Sequence, residues 1–344
     1  MSSAPEANPG DTALSLRVPF GSAWELSCLF GSLGLDFRIV QITRGELSGF
    51  FELCGNKDMP VFSIRTNQGL LFEGTRHQAS TPIALEHTTS LEMHRVRGEA
   101  IGQNCVHGFS RHVRESFFQL SPGAHTTVAL LNSQRLGDLV EATAEDHLFE
   151  RMESANSIEL SSPLFKRMQE LLLNTTTTPA LHQELMHAAV LECLQPDQGT
   201  VLQKAELSQS AGLMKELLTW GNANPTRVIK LEDLTRSIFA SRSAIVQNCR
   251  STFGIGPMAL LKQIRLGQVQ HALSQAQVQR KIGCSNVQTI ASYYGFTSRN
   301  HFARDYRQQF GEAPSHTLQQ SSDPGIGAQS VSVAQSPQIA IARK

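Results

Sequence analysis

Cysteine is sparse and scattered in this sequence. Its six thiols, Cys28, Cys54, Cys105, Cys193, Cys249 and Cys284, form no CxxC pair and no Cys/His cluster at metal-ligand spacing. That leaves no basis for a disulfide scaffold or a zinc module, and free thiols in a reducing compartment are expected. Cys249 and Cys284 read as core packing rather than redox sensors. No apolar run reaches the length of a membrane span, and the first twenty residues lack the basic start and apolar stretch of a secretory signal. A cytoplasmic protein with no membrane partner is therefore expected. HExxH, GxSxG and a glycine-rich phosphate loop are all missing, which argues against an enzyme, and no cofactor is expected. Net charge is also lacking, since 30 Lys plus Arg balance 30 Asp plus Glu.

The balance conceals a split. Residues 225–320 hold 12 basic and 4 acidic side chains, 12 − 4 = +8, so the remainder holds 18 and 26, 18 − 26 = −8. A basic module attached to an acidic one fits phosphate binding by the first. With 344 residues the chain exceeds a usual single core, and two domains are expected.

In residues 285–310, SNVQTIASYYGFTSRNHFARDYRQQF, the spacing predicts two helices and a turn. Ile290, Ala291 and Tyr294 share one helical face, Gly295 stops that helix, and Ser298 stands as N-cap of the next. Phe302, Tyr306 and Phe310 supply the second helix's apolar stripe, while Arg299, Asn300, Arg304 and Arg307 lie on its polar face. Taken alone, the pattern suits a helical hairpin with a solvated basic face as well as a DNA reader. Leu231 to Arg250, LEDLTRSIFASRSAIVQNCR, repeats the logic, with Leu234 and Ile238, a break, Ser241 as N-cap, then Ile245 and Cys249. Between the two, a longer helix starts near Gly256 and Pro257 and turns Leu260, Leu261, Ile264, Val269 and Leu273 inward.

These residues resemble the AraC/XylS family of transcription regulators. The likeness runs through Leu234, Ser241, Ile245, Phe253-Gly254, Pro257, Arg265-Leu266, Ala272, Ile290-Ala291, Gly295-Phe296, His301-Phe302, Arg304, Tyr306, Phe310-Gly311 and Pro314, roughly the last third of the chain. The ending FGEAPSHTL is similar to regulators of the ethanolamine-utilisation type. Departures are Thr235 in place of the usual Ala, Phe239 in a turn where a smaller residue is common, a lengthened connection between Leu273 and Ile290, and Leu318 where many relatives have an aromatic.

The resemblance implies a DNA-binding domain of two helix-turn-helix units joined by a long helix. Its groove-facing positions fall on Ser243, Val246, Gln247 and Arg250 in the first unit, and on Arg299, Asn300, Ala303 and Arg304 in the second. Gln247, Arg299 and Asn300 are the expected base readers. Val246 and Ala303 are placed to touch thymine methyls, and Arg250, Arg304 and Arg307 to clamp phosphates. Arg304 has an alternative role, pairing with a carboxylate inside the domain.

Before residue 133, segments such as FRIVQI, GFFEL, VFSIRT, GLLFEG and TTVALL are broken by Gly, Asn and Pro, the pattern of antiparallel strands. The expected fold class is α+β. The strands before residue 133 suit a small barrel or sandwich, and residues 133–220 read as helical; the resemblance implies that 21–132 is a barrel-like β sensor domain, 133–220 a helical segment for support or dimerisation, and 225–320 an all-α DNA-binding domain. Gly221 to Pro225 is the expected boundary, and residues 1–20 and 321–344 are expected to lack order. His77, His87, His94, His107 and His112, with Glu73, Glu86, Glu92 and Glu99, lie near the strands at spacings poor for a metal, so no metal site is assigned. A small effector in the β domain is favoured over metal catalysis, with Arg65, Glu73, Arg76 and His77 as candidate lining. The function expected is an effector-responsive activator. Its partners are double-stranded DNA, RNA polymerase if it activates, and a second copy if residues 133–220 dimerise. The alternatives are an effector-binding protein whose DNA domain serves protein contacts, and an enzyme fused to a DNA-binding tail.

Overall fold

The computed structural model describes residues 14–173, 178–226 and 230–322. The expectations for residues 1–13 and 323–344 lie outside these. The chain opens with β1 (Leu14–Phe20), α1 (Ala23–Ser32), β2 (Phe37–Gln41), β3 (Gly49–Gly55), β4 (Pro60–Thr66), β5 (Leu70–Thr75) and β6 (Ser80–Glu86). The short strands β7 (Arg95–Val96), β8 (Glu99–Ala100) and β9 (Cys105–His107) precede the longer β10 (Glu115–Leu120) and β11 (His125–Asn132). Next come α2 (Ser133–Ala142), α3 (Asp146–Ser154), β12 (Ala155–Leu160), α4 (Ser162–Leu173), α5 (Pro179–Cys193), β13 (Gly199–Lys204) and α6 (Gln209–Ala223). The last part is helical: α7 (Leu231–Ser237), α8 (Arg242–Phe253), α9 (Pro257–Ser274), α10 (Ala276–Ile282), α11 (Val287–Tyr293), α12 (Arg299–Phe310) and α13 (Pro314–Ser322).

The strands form two antiparallel sheets, an eight-stranded one ordered β1-β3-β4-β11-β6-β9-β12-β13 and a five-stranded one ordered β2-β5-β10-β7-β8. The barrel expected from the sequence is not closed. The smaller sheet runs out in the two-residue strands β7 and β8, too short to carry the ladder onward. β11 explains the packing between layers. Its residues Thr126 to Leu131 are all buried because alternate side chains serve opposite cores: Val128 and Leu130 join the aromatic cluster under α1, and Ala129 and Leu131 join the core capped by α2 to α5. Within the first cluster Phe30 meets Phe37, Phe51 and Phe62 edge-on, with centroids 4.9, 5.4 and 5.3 Å apart.

Three sequence expectations are corrected. The span 1–20 was expected to lack order, yet Leu14–Phe20 pairs along its length with β3 and buries Phe20. Residues 133–220 are not purely helical, since β12 and β13 extend the larger sheet beyond β9. Buried polar residues Asn156, Ser157 and Gln203, hydrogen-bonded to one another, gave β12 and β13 a polar sequence that concealed them. Finally, the chain does not divide at Gly221. Helix α6 continues to Ala223 and packs with the C-terminal helices, where Gly221 allows close approach: a Cβ there would sit 2.6 Å from Leu261 Cδ2.

The result is a core common to both halves. Val40, Leu71 and Phe117 of the smaller sheet, with Ile42 just after β2, pack with Met214, Leu217 and Leu218 of α6 and with Ile245, Cys249, Phe253, Leu260, Leu261 and Ile264. At roughly 1.5–3 kcal/mol for each fully buried side chain, this contact is structural rather than incidental.

Candidate nucleic-acid interface and effector cavity

Helix α7 starts where the Lys230 amide donates to Asp233 Oδ2 (3.2 Å), and Asp233 also pairs with Arg236 (3.0 Å). In the following turn Phe239 takes a left-handed φ of +48° and is 96% exposed, so a bulky residue is held where glycine would be easier, with no packing in return. Ser241 Oγ then accepts from the Ala244 amide (3.1 Å), the cap expected from sequence, and Gly254 at φ +73° ends α8. Ile245, Cys249 and Phe253 turn inward. Ser243, Gln247 and Arg250 are exposed on the other face with Val246 half-buried among them, bordering a shallow open groove that Arg242 and Ser251 complete.

The second pair is built the same way. Asn286 Oδ1 caps α11 by accepting from the Thr289 amide (2.9 Å), Gly295 at φ +83° makes the turn, and the Phe296 amide returns to the Ala291 carbonyl (3.0 Å). Ser298 Oγ accepts from the His301 amide at 3.5 Å and opens α12. Phe302, Tyr306 and Phe310 form a ring ladder with spacings of 5.7 and 4.7 Å, and the Tyr306 hydroxyl hydrogen-bonds Thr317 Oγ1 (2.8 Å). Opposite them Arg299, Asn300, Arg304 and Arg307 are exposed and Ala303 is half-buried. Arg304 stands 3.7 Å from Asp305, a carboxylate already paired with Lys262. Among the described residues, Arg250, Arg299 and Arg307 enter no ion pair. All nine sequence-selected positions thus lie on faces turned away from the cores, in two groups on separate helices joined by α9.

The β domain holds a second site. Between its sheets lies a cavity walled by Phe30, Phe37, Phe62, Phe118, Leu120 and Leu130. One end is polar. Arg76 Nη2 donates to Asn156 Oδ1 (3.0 Å) and Arg97 Nη2 to the Ala205 carbonyl (2.6 Å), but the Nε of each has no partner. His107 Nδ1 meets Ser157 Oγ (2.7 Å) and leaves Nε2 unpartnered, while His94 Nδ1 is 3.6 Å from Glu86 Oε2. Burial, then the nearby Arg97, brings Arg76 down to about 9. Burial, then Arg95, brings His94 to about 4, and burial, then His94 and Arg76, brings His107 to about 3. Glu86 is pushed up by burial, against hydrogen bonds from Thr126 Oγ1 (2.5 Å) and the amides of His125 (2.7 Å) and Thr88 (3.0 Å).

Of the candidate lining residues, Arg76 and His77 border this cavity. Arg65 is exposed on β4, and Glu73 instead accepts from Thr219 (2.8 Å) and Asn222 (3.0 Å) of α6. His87 bonds Thr127, and His112 pairs with Glu153. Sequence reasoning missed Arg97. Its only local sign is Gly98, the turn residue at φ +81° that packs against Ala211 of α6. Among the described residues, no group of three or more His, Cys, Asp or Glu could hold a metal ion, and no helix is long and apolar enough to cross a membrane.

A family model described as a helix-turn-helix domain matches residues 234–320. A probable AraC family transcriptional regulator from Rhodopseudomonas palustris CGA009 is 34% identical, the match covering 32% of this chain and 97% of that one, with a TM-score of 0.28. A transcriptional regulator with an AraC-type DNA-binding domain from Chromobacterium violaceum is 22% identical, over 34% of this chain and 97% of that one, with a TM-score of 0.30. ToxT from Vibrio cholerae O395 is 10% identical, over 89% of this chain and 96% of its own, with a TM-score of 0.30.

Proposed function

Because this chain belongs, through its C-terminal residues, to the AraC family of DNA-binding transcription regulators, we propose that it reads successive major-groove faces with α8 and α12. The observation that supports this is the shared orientation of the two helices: each turns an apolar stripe into a core and leaves its polar, basic face to solvent. Gln247, Arg299 and Asn300 read base edges, Val246 and Ala303 meet thymine methyls, Ser243 lies beside them, and Arg250, Arg304 and Arg307 hold phosphates. One chain then spans an asymmetric half-site whose two parts lie about one helical turn, ~10 bp, apart.

The β-domain cavity is the effector site in this reading, and the protein is an effector-responsive activator that contacts RNA polymerase in the cytoplasm. Dimerisation is assigned to the segment 133–220, and the ethanolamine-utilisation grouping to the ending FGEAPSHTL. Binding-site selection tests the reading. Arg299→Ala and Asn300→Ala should each relax sequence preference at one position, by roughly 1–3 kcal/mol for a bidentate contact. Arg307→Ala should weaken all sequences alike and flatten the salt dependence. Unchanged preference in both α12 variants would remove α12 as a reader.

A further inference from the structure

We propose that α10 is a third DNA contact, in which Arg280 and Lys281 hold phosphates of the backbone flanking the part of the site read by α12. This rests on the major-groove reading of α8 and α12 and extends their footprint.

Helix α10 adds little to any core. None of its residues is buried, and Val278 and Ile282 are only partly buried against the second helical core. It is nevertheless held in place. Gln279 Nε2 donates to the carbonyls of Ala272 (3.0 Å) and Leu273 (3.1 Å) in the last turns of α9. Gly283 at φ +67° ends the helix, and the Cys284 amide returns to the Gln279 carbonyl (3.1 Å). A helix fixed without a buried face serves by what it presents. What α10 presents is charge, since Arg280 and Lys281 stand side by side and exposed.

The protein supplies no counter-charge to this pair. Between Asp233 and Asp305 the sequence has no acidic residue. Those two carboxylates are engaged elsewhere, with Arg236 and Lys262. Among the described residues, neither Arg280 nor Lys281 enters an ion pair. The carbonyl end of so short a helix attracts cations weakly. A nucleic-acid backbone attracts them far more strongly, because each phosphate neutralised releases a condensed counter-ion.

Position selects which phosphates. Helix α9 has 18 residues, about 27 Å, with the first helix pair packed on its opening turns and the second on its closing turns. Gln279 ties α10 to the closing end, and Asn286 then caps α11. In a helix-turn-helix the first helix crosses the backbone while the second enters the groove. Since α10 leads into that first helix at the end of the module away from α8, its cations meet phosphates beyond the α12 part of the site. Such contacts add affinity without sequence preference.

The test measures retardation of a selected duplex by the full chain across a salt series. Arg280→Gln and Lys281→Gln should each weaken binding about three- to tenfold and lower the salt slope by ~0.9, and the double variant should lower it by ~1.8, with sequence preference and melting temperature unchanged. Arg280→Lys should keep the wild-type slope. Duplex length gives a second arm: trimming about half a turn, ~5 bp, from the flank beyond the α12 part should weaken the wild type as much as the double substitution does and leave the double variant unaffected. A wild-type salt slope in the double variant, or equal losses on trimming in both proteins, overturns the proposal. Activation lost in the double variant with DNA binding intact also overturns it, and assigns the pair to an acidic protein surface. A wild-type chain with no preferred sequence in selection overturns the major-groove reading itself, a result that neither the slope nor the trimming arm mimics.

Discussion

The two helix pairs have the same plan and opposite relations to the β domain. The first shares its core with the smaller sheet, with Ile245, Cys249 and Phe253 packed in one cluster with Val40, Ile42, Leu71 and Phe117. The second closes on a core of its own, in which Ile290, Ala291, Phe302, Tyr306 and Phe310 pack on Leu266, Val269 and Leu273. Helix α9 feeds both, its first turns to the shared core and its last turns to the separate one. What joins the second pair to the β domain is polar. Gln309 Nε2 donates to the carbonyls of Gln41 (2.8 Å) and Thr43 (2.9 Å), and Gln41 Nε2 returns a bond to the Gln309 carbonyl (3.0 Å). Trp24 of α1 adds a stack on His271 at 5.1 Å. Packed apolar surface couples whatever it touches and opens only with the core. A hydrogen-bonded latch is directional and releases at a smaller, local cost. The two presented faces are thus tied to the β domain by different physics.

The strongest way to break this comparison is to truncate each core. Phe302→Ala should cost about 3–5 kcal/mol and Ile245→Ala about 2–5 kcal/mol in denaturant unfolding. Hydrogen exchange should separate them, with protection lost only in α9 and α11 to α13 for Phe302→Ala, but also in β2 and β5 for Ile245→Ala. Wild-type protection of β2 and β5 in Ile245→Ala would mean the core is not shared.

Acid should divide the molecule along the same line. The unfolded chain takes up its histidine protons near pH 6.5, whereas burial holds His94 near 4 and His107 near 3, and burial with the neighbouring Arg65 contributes to lowering His87 and His125 to about 4. Between these values the unfolded state binds more protons, so stability falls as pH drops from 6.5 towards 4 and is unaffected by these groups above 6.5. The β domain and α8 should lose structure together, ahead of α11 and α12, as NMR signals of the two regions would record. Simultaneous loss of both would contradict separate cores.

Gln309→Ala comes next, at about 1–3 kcal/mol, because it leaves the Gln41 and Thr43 carbonyls without that donor. Its exchange signature should be confined to the loop after β2 and the end of α12. The smallest effect is a gain: Phe239→Asn should stabilise by up to about 1 kcal/mol, since Asn accepts the left-handed backbone and the exposed ring loses no packing. An unchanged or lower unfolding midpoint would mean that Phe239 is not strained.

The helical end was more legible than the β end, and the reason is range. Ser241, Gly254, Ser298 and Gly311 act on bonds a few residues away, so caps and stops at these positions can be read locally. Long strands such as β4 and β11 announced themselves by β-branched and apolar runs. β7, β8 and β9 were too short to show a period, and β12 and β13 were concealed by Asn156, Ser157 and Gln203, whose polarity is satisfied by one another and by the distant Arg76, Val96, Glu99 and His107. The polar end of the cavity had no sequence pattern to find: Arg76 follows β5, His94 and Arg97 flank the two-residue β7, and His107 ends β9.

By itself, the sequence determined the caps of α8 and α12 at Ser241 and Ser298, the start of α9 at Pro257, the turn at Gly295, and the face of α12 that carries Arg299 and Asn300. Those choices follow from periodicity and capping over single turns. Only the tertiary structure decided that α6 belongs with the C-terminal helices, that the barrel stays open, and that one helix pair is fused to the β domain while the other is latched to it. Each of these depends on contacts between residues far apart in the chain, such as Phe117 with Phe253 or Gln41 with Gln309. The free energy of such contacts comes from surfaces that meet only after folding, and no local pattern in the sequence encodes it.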